Sequence, residues 1–483
     1  LGVLALQTGN ADAAKDLITR AAKMAPETAE THSNLGLVLK HQGDLDAAII
    51  EFRAAIYHDP RMAEAHSNLG EVLREMDRFD EAAQAFRQAL EIVGDNPDLN
   101  LNLGAALIEV DDNEGALRVL AKVLEQSPDM AAAHYNMGKA YFNLRKFDEA
   151  AIAYEMAIEQ EPHFNDARHN LAHALLAAGR LDEGWAAYEW RWKSPSKSSR
   201  PREFPVPVWN GDSLAGKNLL VWGEQGLGDE MLFAGLIGEI ADQAGTCVVE
   251  CDERLVSLFR RSLGNVEVVA RANPSHPLTQ SPDLDVQLAM GDLAKWTRPN
   301  LAGFSPLGRY LLADPARVQE FRARYRSLGM GLKVGISWAS RPPKGITLPE
   351  LGVFLTQPGL HFVNLQYGDH ASEIAAAEKL FGIEIFSDPQ ADPSNDLDGL
   401  AAQIDALDAV LTIQNTTLFL AGALDKPVFG LIKSRADWRW FGLDESRWHG
   451  DVNLYRQEAP GHWEGAVGEL TTDFSTRFLS GVF

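Results

Sequence analysis

The chain has 483 residues, a formal net charge of -24, and 46% hydrophobic against 23% charged residues. That length sets the expectation of two or three domains. The acidic balance excludes a nonspecific nucleic-acid binder, which needs a basic face. No apolar run reaches membrane-span length, and two cysteines, Cys247 and Cys251, are too few for a disulfide framework or a zinc site. A reducing, cytoplasmic setting is the expectation. The chain starts at Leu1 in mid-pattern, without Met, and reads as a piece of a longer protein.

Residues 1–193 repeat with a period of 34: Gly2, Gly36, Gly70, Gly104 and Gly138 fall in register, with Ala172 next. Ala14, Ala48, Ala82, Ala116 and Ala150 follow at a fixed offset, and Pro26, Pro60, Pro128 and Pro162 close four of the units. Small residues let two helices pack closely, and proline stops the second one. This pattern resembles the tetratricopeptide repeat, which implies an α-solenoid with a concave groove. Asn34, Asn68, Asn102, Asn136 and Asn170 recur two residues before each small position. Amides there both donate and accept, so the column is a candidate groove for an extended peptide acceptor. His32, His66 and His134 lie beside it and are expected to contribute groove polarity. The aromatic segment 185–192, WAAYEWRW, is expected to cap the array.

Residues 194–215, rich in Ser, Pro and basic side chains at their start, read as a linker. Gly211–Lys217 fits G-x-x-x-x-G-K, but Asn218 replaces the Ser/Thr and the motif precedes its strand, so a P-loop is excluded.

Residues 216–330 alternate strand and helix patterns, as a parallel sheet requires. The run Asn218–Trp222 is a strand; Gly223, Gly226 and Gly228 form a loop, and Asp229 opens a helix expected to reach Asp242. Backbone N–H groups at such a turn suit an anion, and a carboxylate beside it can accept a proton. Strands are expected at Thr246–Cys251 and Val266–Val269, with a helix at Arg254–Leu263. The glycine order G-x-x-G-x-G does not fit a dinucleotide site, although Glu250 and Asp252 lie where a ribose-binding acid would. Asp283 and Asp285 form a D-x-D read as a loop-to-strand junction.

Residues 331–483 repeat the alternation. Strands are expected at Lys333–Trp338, His361–Gln366 and Ala409–Ile413, with Arg341 and Lys344 in the loop after the first and Tyr367 after the second. Asn415, Thr416 and Thr417 open a helix at Leu418–Leu424, with Asn415 or Thr416 as its cap, a second anion-suited turn.

With these residues in hand, 216–460 resembles a GT-B glycosyltransferase, closest to the heptosyltransferase-like group. GLGDE at 226–230 resembles that group's G-x-G-D loop, which implies Asp229 as the base on an acceptor hydroxyl. The same resemblance implies donor contacts from Lys344, Arg341, Trp338, Gln366, Tyr367, Asn415, Thr416 and Thr417, with Gly226 and Gly228 forming the loop. The order of repeats and transferase is similar to that of the O-linked N-acetylglucosamine transferases. DWRW at 437–440 resembles a segment of bacterial repeat–transferase fusions, some of which are flagellin glycosyltransferases. The sequence departs from the group at Gln414, usually acidic, and at Phe419, usually histidine.

The expected protein is therefore a tetratricopeptide solenoid (1–193), a linker (194–215) and a GT-B fold of two Rossmann-like domains (216–330 and 331–483). Its expected activity is inverting, metal-independent transfer of a sugar from a nucleotide-sugar donor, without a cofactor, to Ser/Thr of a protein such as flagellin. A CMP-linked nonulosonic acid is the donor implied for flagellin. The alternatives are a heptosyltransferase-like enzyme acting on a glycan, and a scaffold whose transferase domain has decayed.

Overall fold

The computed structural model describes residues 16–18, 20, 24, 28–194, 201–340, 345–435 and 437–479. Arg341 and Lys344 lie outside the described residues, as do Gly2, Ala14 and Pro26. The chain divides into two compact units, Leu1–Leu171 and Ala172–Phe483.

The first unit is built of helix pairs: α1 (Ala29–His41) with α2 (Leu45–His58), α3 (Ala63–Glu75) with α4 (Phe79–Val93), α5 (Pro97–Glu109) with α6 (Asn113–Gln126), and α7 (Ala131–Asn143) with α8 (Phe147–Gln160), followed by the first part of α9 (Asn165–Ala177), a helix that continues past Leu171. The glycine column explains the pairing. A Cβ on Gly36 would lie 2.7 Å from the Phe52 ring, one on Gly70 2.7 Å from Phe86, and one on Gly138 2.6 Å from Tyr154. Only a bare Cα lets the first helix of a pair reach the large side chain that the second turns towards it. Ala48, Ala82, Ala116 and Ala150 are fully buried. The turn between the helices has its own column: Gly43, Asp77, Asp111 and Arg145, again 34 apart, all take positive φ, between 58° and 79°.

His66 and His134, expected to lend polarity to the groove, are each bonded to the backbone. Their Nε2 atoms bond the carbonyls of Pro60 (3.1 Å) and Pro128 (2.9 Å), and Arg168 does the same to Pro162. These side chains close the turn between successive pairs. His32 instead meets the Glu51 carboxylate at 2.7 Å.

The second unit holds two parallel sheets. The first comprises β1 (Asn218–Trp222), β2 (Thr246–Cys251), β3 (Glu267–Ala270) and β4 (Val286–Ala289), in the order β3-β2-β1-β4. The second comprises β5 (Leu332–Ser337), β6 (Leu360–Asn364), β7 (Ile385–Phe386), β8 (Ala409–Ile413), β9 (Val428–Ile432) and β10 (Val452–Arg456), in the order β10-β9-β8-β5-β6-β7. Counted from β5, this is the 3-2-1-4-5-6 order of doubly wound nucleotide-binding sheets, whose ligands sit at the carboxyl ends where the winding reverses, here between β5 and β8. Strands β4, β8 and β9 are buried along their whole length, which is why they read as unbroken apolar runs.

Three expectations change. The helix after the glycine loop stops early, as α10 (Leu181–Tyr188) is followed in the sheet region by α11 (Leu227–Ala234) and α12 (Ile237–Ala241). Gly235, between the last two, sits where a Cβ would be 2.5 Å from Leu307, and the chain bends there. The helices that follow are α13 (Val256–Ser262), α14 (Leu293–Thr297), α15 (Pro315–Arg326), α16 (Gly352–Leu355), α17 (Ala371–Phe381), α18 (Leu397–Asp405) and α19 (Thr416–Ala423). The aromatic segment expected to cap the repeats belongs to the second unit: Trp185 and Tyr188 are buried in its core, and the Trp185 indole donates to the Arg298 carbonyl at 3.0 Å. The described part of the expected linker is packed rather than free. Val208 bridges to Gln287 of β4, Trp209 is buried against Trp296, and Phe204 lies against Trp222. Among the described residues no helix is long and apolar enough to cross a membrane.

The two glycine columns predict opposite sensitivities. Gly70→Ala is expected to destabilise the repeat unit by about 1–3 kcal/mol through its clash with Phe86. Gly43→Asp is expected to stay within about 0.5 kcal/mol of the parent, because aspartate already tolerates this left-handed turn at positions 77 and 111. Thermal melts followed by circular dichroism measure both.

Candidate functional site

The loop after β1 uses each glycine differently. At Gly223 a Cβ would meet the Glu230 carboxylate and Arg271 at 2.6 Å, so a side chain here would displace that ion pair. Gly226 precedes α11 and has room beside it: a Cβ there would find only Asp229 Oδ2, at 4.0 Å. Gly228 lets α11 approach α19 (Thr416–Ala423) of the other sheet, where a Cβ would stand 3.0 Å from the Phe419 ring.

That close approach delivers Asp229 to Arg439. The guanidinium gives both Nε (3.0 Å) and Nη2 (2.5 Å) to Asp229 Oδ1, while Nη1 takes both oxygens of Asp437 at 3.2 Å. Burial alone would push Arg439 down; Asp229 and Asp437 reverse this and hold it above the ordinary guanidinium value. Asp437 also accepts from Gln414 Nε2 at 2.6 Å, and the Trp440 indole donates to Gln414 Oε1 at 3.2 Å. Trp440 stacks on Phe419, 6.0 Å between centroids.

The neighbouring Glu224 and Gln225 are also tied down. Arg191, 1% exposed, grips Glu224 through two bonds of 3.0 and 2.7 Å and Asp292 at 2.8 Å, and stays charged because those carboxylates outweigh its burial. Gln225, at φ 61°, donates to the Tyr188 hydroxyl at 2.9 Å. Glu250, placed where a ribose-binding acid would be, is fully buried between Arg202 and Arg271. Asp285 accepts from the Asn218 backbone at 2.7 Å, so the D-x-D anchors the strand starts.

At the carboxyl ends of β5 and β8 the expected donor-binding residues form one buried network. Gln366 Oε1 accepts from the Ser337 hydroxyl (3.1 Å) and from the backbones of Trp338 (3.0 Å) and Ala339 (2.8 Å). Asn415 donates to the Ser337 hydroxyl at 2.9 Å, and its oxygen accepts from the N–H groups of Thr417 (3.0 Å) and Leu418 (3.4 Å). Asn415 thus occupies two of the helix-end donors that were expected for a phosphate. Trp338 is fully buried and Thr417 nearly so. These side chains shape the site from beneath rather than line it. Thr416 and Tyr367 remain half-exposed, with the Tyr367 hydroxyl 3.4 Å from that of Ser340.

Beside this network lies a cavity of about 150 Å³ lined by Ile413, Gln414, Leu431, Lys433, Arg435, Asp437, Trp463 and Gly345. It sits at the carboxyl ends of β8 and β9; of its lining residues, Asp437 pairs with Arg439 and Gln414 braces Asp437. Lys433, Arg435 and Trp463 carried no motif to mark them in the sequence. Arg439 stood in the DWRW segment, but its partner is 210 residues away. Among the described residues no group of three or more His, Cys, Asp or Glu side chains is arranged to hold a metal ion.

In the first unit Asn34, Asn68, Asn102, Asn136 and Asn170 are all half-buried on the first helix of their pairs. Asn170 donates to the Tyr135 hydroxyl at 3.1 Å, whereas the Asn68 amide nitrogen is buried without a partner among the described residues.

The N-terminal part of the chain carries tetratricopeptide repeats, with matches to that family at residues 27–95, 73–120, 131–164 and 166–189. A curated relative, Protein FlbA of Caulobacter vibrioides (strain ATCC 19089 / CIP 103742 / CB 15), is 34% identical over 298 residues, which cover 58% of this chain and 50% of FlbA. The chain thus spans half the length of that relative. Among solved structures, YrrB, described as a TPR protein with an unusual peptide-binding site, is 23% identical, with a TM-score of 0.33 over 38% of this chain and 93% of its own. A tetratricopeptide repeat protein from Parabacteroides merdae ATCC 43184 is 16% identical, with a TM-score of 0.37 over 41% and 78%.

Packed beneath α19 is His449, 1% exposed, with its ring over Gly422 and its Nε2 3.0 Å from the Tyr310 hydroxyl. Tyr310 donates to the Met231 carbonyl, so His449 Nε2 carries the proton and donates to Tyr310. Burial pushes the His449 pKa down to about 3. The folded state thus keeps the ring neutral while the unfolded chain takes up a proton below its ordinary value of about 6.5. Stability from this group is complete above that pH and is lost as pH falls towards 3, by about 1.4 kcal/mol per unit. Urea melts between pH 7 and 4 should show this slope, and His449→Gln should flatten it.

Proposed function

We propose that the second unit is a GT-B glycosyltransferase that moves a sugar, with inversion, from a nucleotide-sugar donor to a Ser/Thr hydroxyl of a protein held by the repeats. The observation that carries this reading is the meeting of Asp229, from the loop after β1, with Arg439, whose other partner Asp437 lines the cavity at the carboxyl ends of β8 and β9. A carboxylate from one sheet therefore stands beside the ligand end of the other. In the proposed step the acceptor hydroxyl gives its proton to Asp229 as its oxygen bonds the anomeric carbon. The bond from that carbon to the donor phosphate breaks, and the electron pair leaves with the nucleotide. A general base contributes about 10²–10⁴-fold. Lys433, Arg435, the start of α19 at Thr416 and, by resemblance, Lys344 are the groups suited to receive the departing phosphate.

Support for a protein acceptor comes from the repeats and from the amide column in the first unit. Flagellin is the first acceptor to test, on the resemblance of the 437–440 segment alone. One observation favours the reading as a decayed scaffold: the proposed base is already paired with a half-buried arginine.

Calorimetric titration with UDP, GDP and CMP separates the two, since a scaffold binds none of them. Asp229→Asn should abolish transfer while leaving nucleotide affinity within about twofold; transfer that survives the substitution removes Asp229 from the chemistry. Replacing Asn68, Asn102 and Asn136 together by Ala should weaken protein-acceptor use on the order of tenfold or more, from about 1 kcal/mol per lost hydrogen bond. A glycan-acting enzyme would be indifferent to that change.

A further inference from the structure

We propose that Arg439 is a positioning residue for Asp229: it holds one carboxylate oxygen and leaves the other aimed at the acceptor. The inference rests on the glycosyl-transfer reading above and adds to it the group that sets the base's orientation. The geometry is asymmetric. Both donors that Arg439 directs at Asp229 end on Oδ1, at 3.0 and 2.5 Å. Oδ2 has no hydrogen-bond partner among the described residues and lies on the side of Gly226, the open glycine of the loop. The carboxylate is only partly exposed, 17%, so few directions of approach to Oδ2 remain.

Arg439 is itself fixed on every side. Its third nitrogen is taken by Asp437, its backbone N–H donates to Asp437 Oδ1 at 2.9 Å, and its carbonyl accepts from the Trp448 indole at 2.8 Å. The Trp438 ring lies 4.8 Å from the guanidinium carbon. Asp437 is held in turn by Gln414. A simple clamp between the two sheets would be served by any cation at this place. A planar fork used on three edges, with its backbone pinned, sets an orientation.

The proton transfer itself is unchanged: the hydroxyl proton goes to Asp229 Oδ2, the new bond forms at the anomeric carbon, and the nucleotide leaves with the bonding pair. Arg439 touches neither substrate and takes no proton. Its loss would let the carboxylate rotate, and a misplacement of about 1 Å costs on the order of 100-fold in rate.

The test compares Arg439→Lys, which keeps the charge, with Arg439→Gln and with the double variant Arg439→Gln, Asp437→Asn, which leaves one fewer buried carboxylate unpaired. Initial rates are measured on the full chain with flagellin and with a panel of UDP-, GDP- and CMP-linked sugars. The inference predicts that all three variants lose kcat, Arg439→Lys by about 100-fold, with donor KM within about threefold and with melting temperature preserved in Arg439→Lys. If turnover needs Asp229 but kcat survives Arg439→Lys, or falls only in proportion to lost folded protein, Arg439 is a clamp and the inference fails alone. If the wild-type chain turns over none of these sugars, or turnover survives Asp229→Asn, the glycosyl-transfer reading fails and takes the inference with it.

Discussion

A guanidinium whose side chain is only 18% exposed loses part of its hydration unless carboxylates surround it, and the arrangement of the second unit around Arg439 answers that demand. Asp229 arrives from the first sheet, Asp437 from the turn after β9, and the Trp438 ring covers one face. For Asp229 to arrive, α11 must lie against α19, and the bare Cα of Gly228 eases that approach, since a Cβ there would stand 3.0 Å from the Phe419 ring. Removing one partner of this half-buried pair leaves the other charge short of both water and a counter-charge. The ion pair and the close helix contact therefore depend on each other.

The same demand accounts for two residues that depart from the heptosyltransferase-like pattern. Gln414 gives its amide hydrogen to Asp437 at 2.6 Å; an acid at this position would set two carboxylates side by side with no donor between them. The other end of the Gln414 amide takes the Trp440 indole proton, and Trp440 then stacks on Phe419. Positions 414 and 419 thus answer to one neighbour. Read in isolation they look like separate losses, whereas in space they are one arrangement built around Asp437 and Trp440.

Much of the fold was legible because its causes are local or periodic. The 34-residue period encodes the contact of a glycine on one helix with a large side chain on the next, and that contact recurs in each unit. Parallel strands buried on both faces show as short apolar runs, which placed β1, β2 and β8 at their observed bounds. The edge strands β7 and β10 and the buried β9 were not foreseen; β7 is two residues long, and β10 breaks its apolar run with Asn453. The packing of 185–192 in the second unit was hidden because Arg191 finds Glu224 33 residues on and Trp185 finds Arg298 113 residues on. The candidate site was legible as loops but not as contacts. Gln366, Asn415 and Trp338 were marked by position, and only their neighbours reveal that they brace the site from below.

On this reading the carboxyl ends of β8 and β9, beside Asp229 and Arg439, form a nucleotide site. The decisive experiment is a crystal structure of the chain soaked with CMP or UDP. Nucleotide density is expected against Gln414, Lys433 and Trp463, with its phosphate towards the start of α19 and the Asp229 carboxylate facing it. Nucleotide bound elsewhere in the second unit, or an unoccupied cavity at saturating nucleotide, would overturn the assignment.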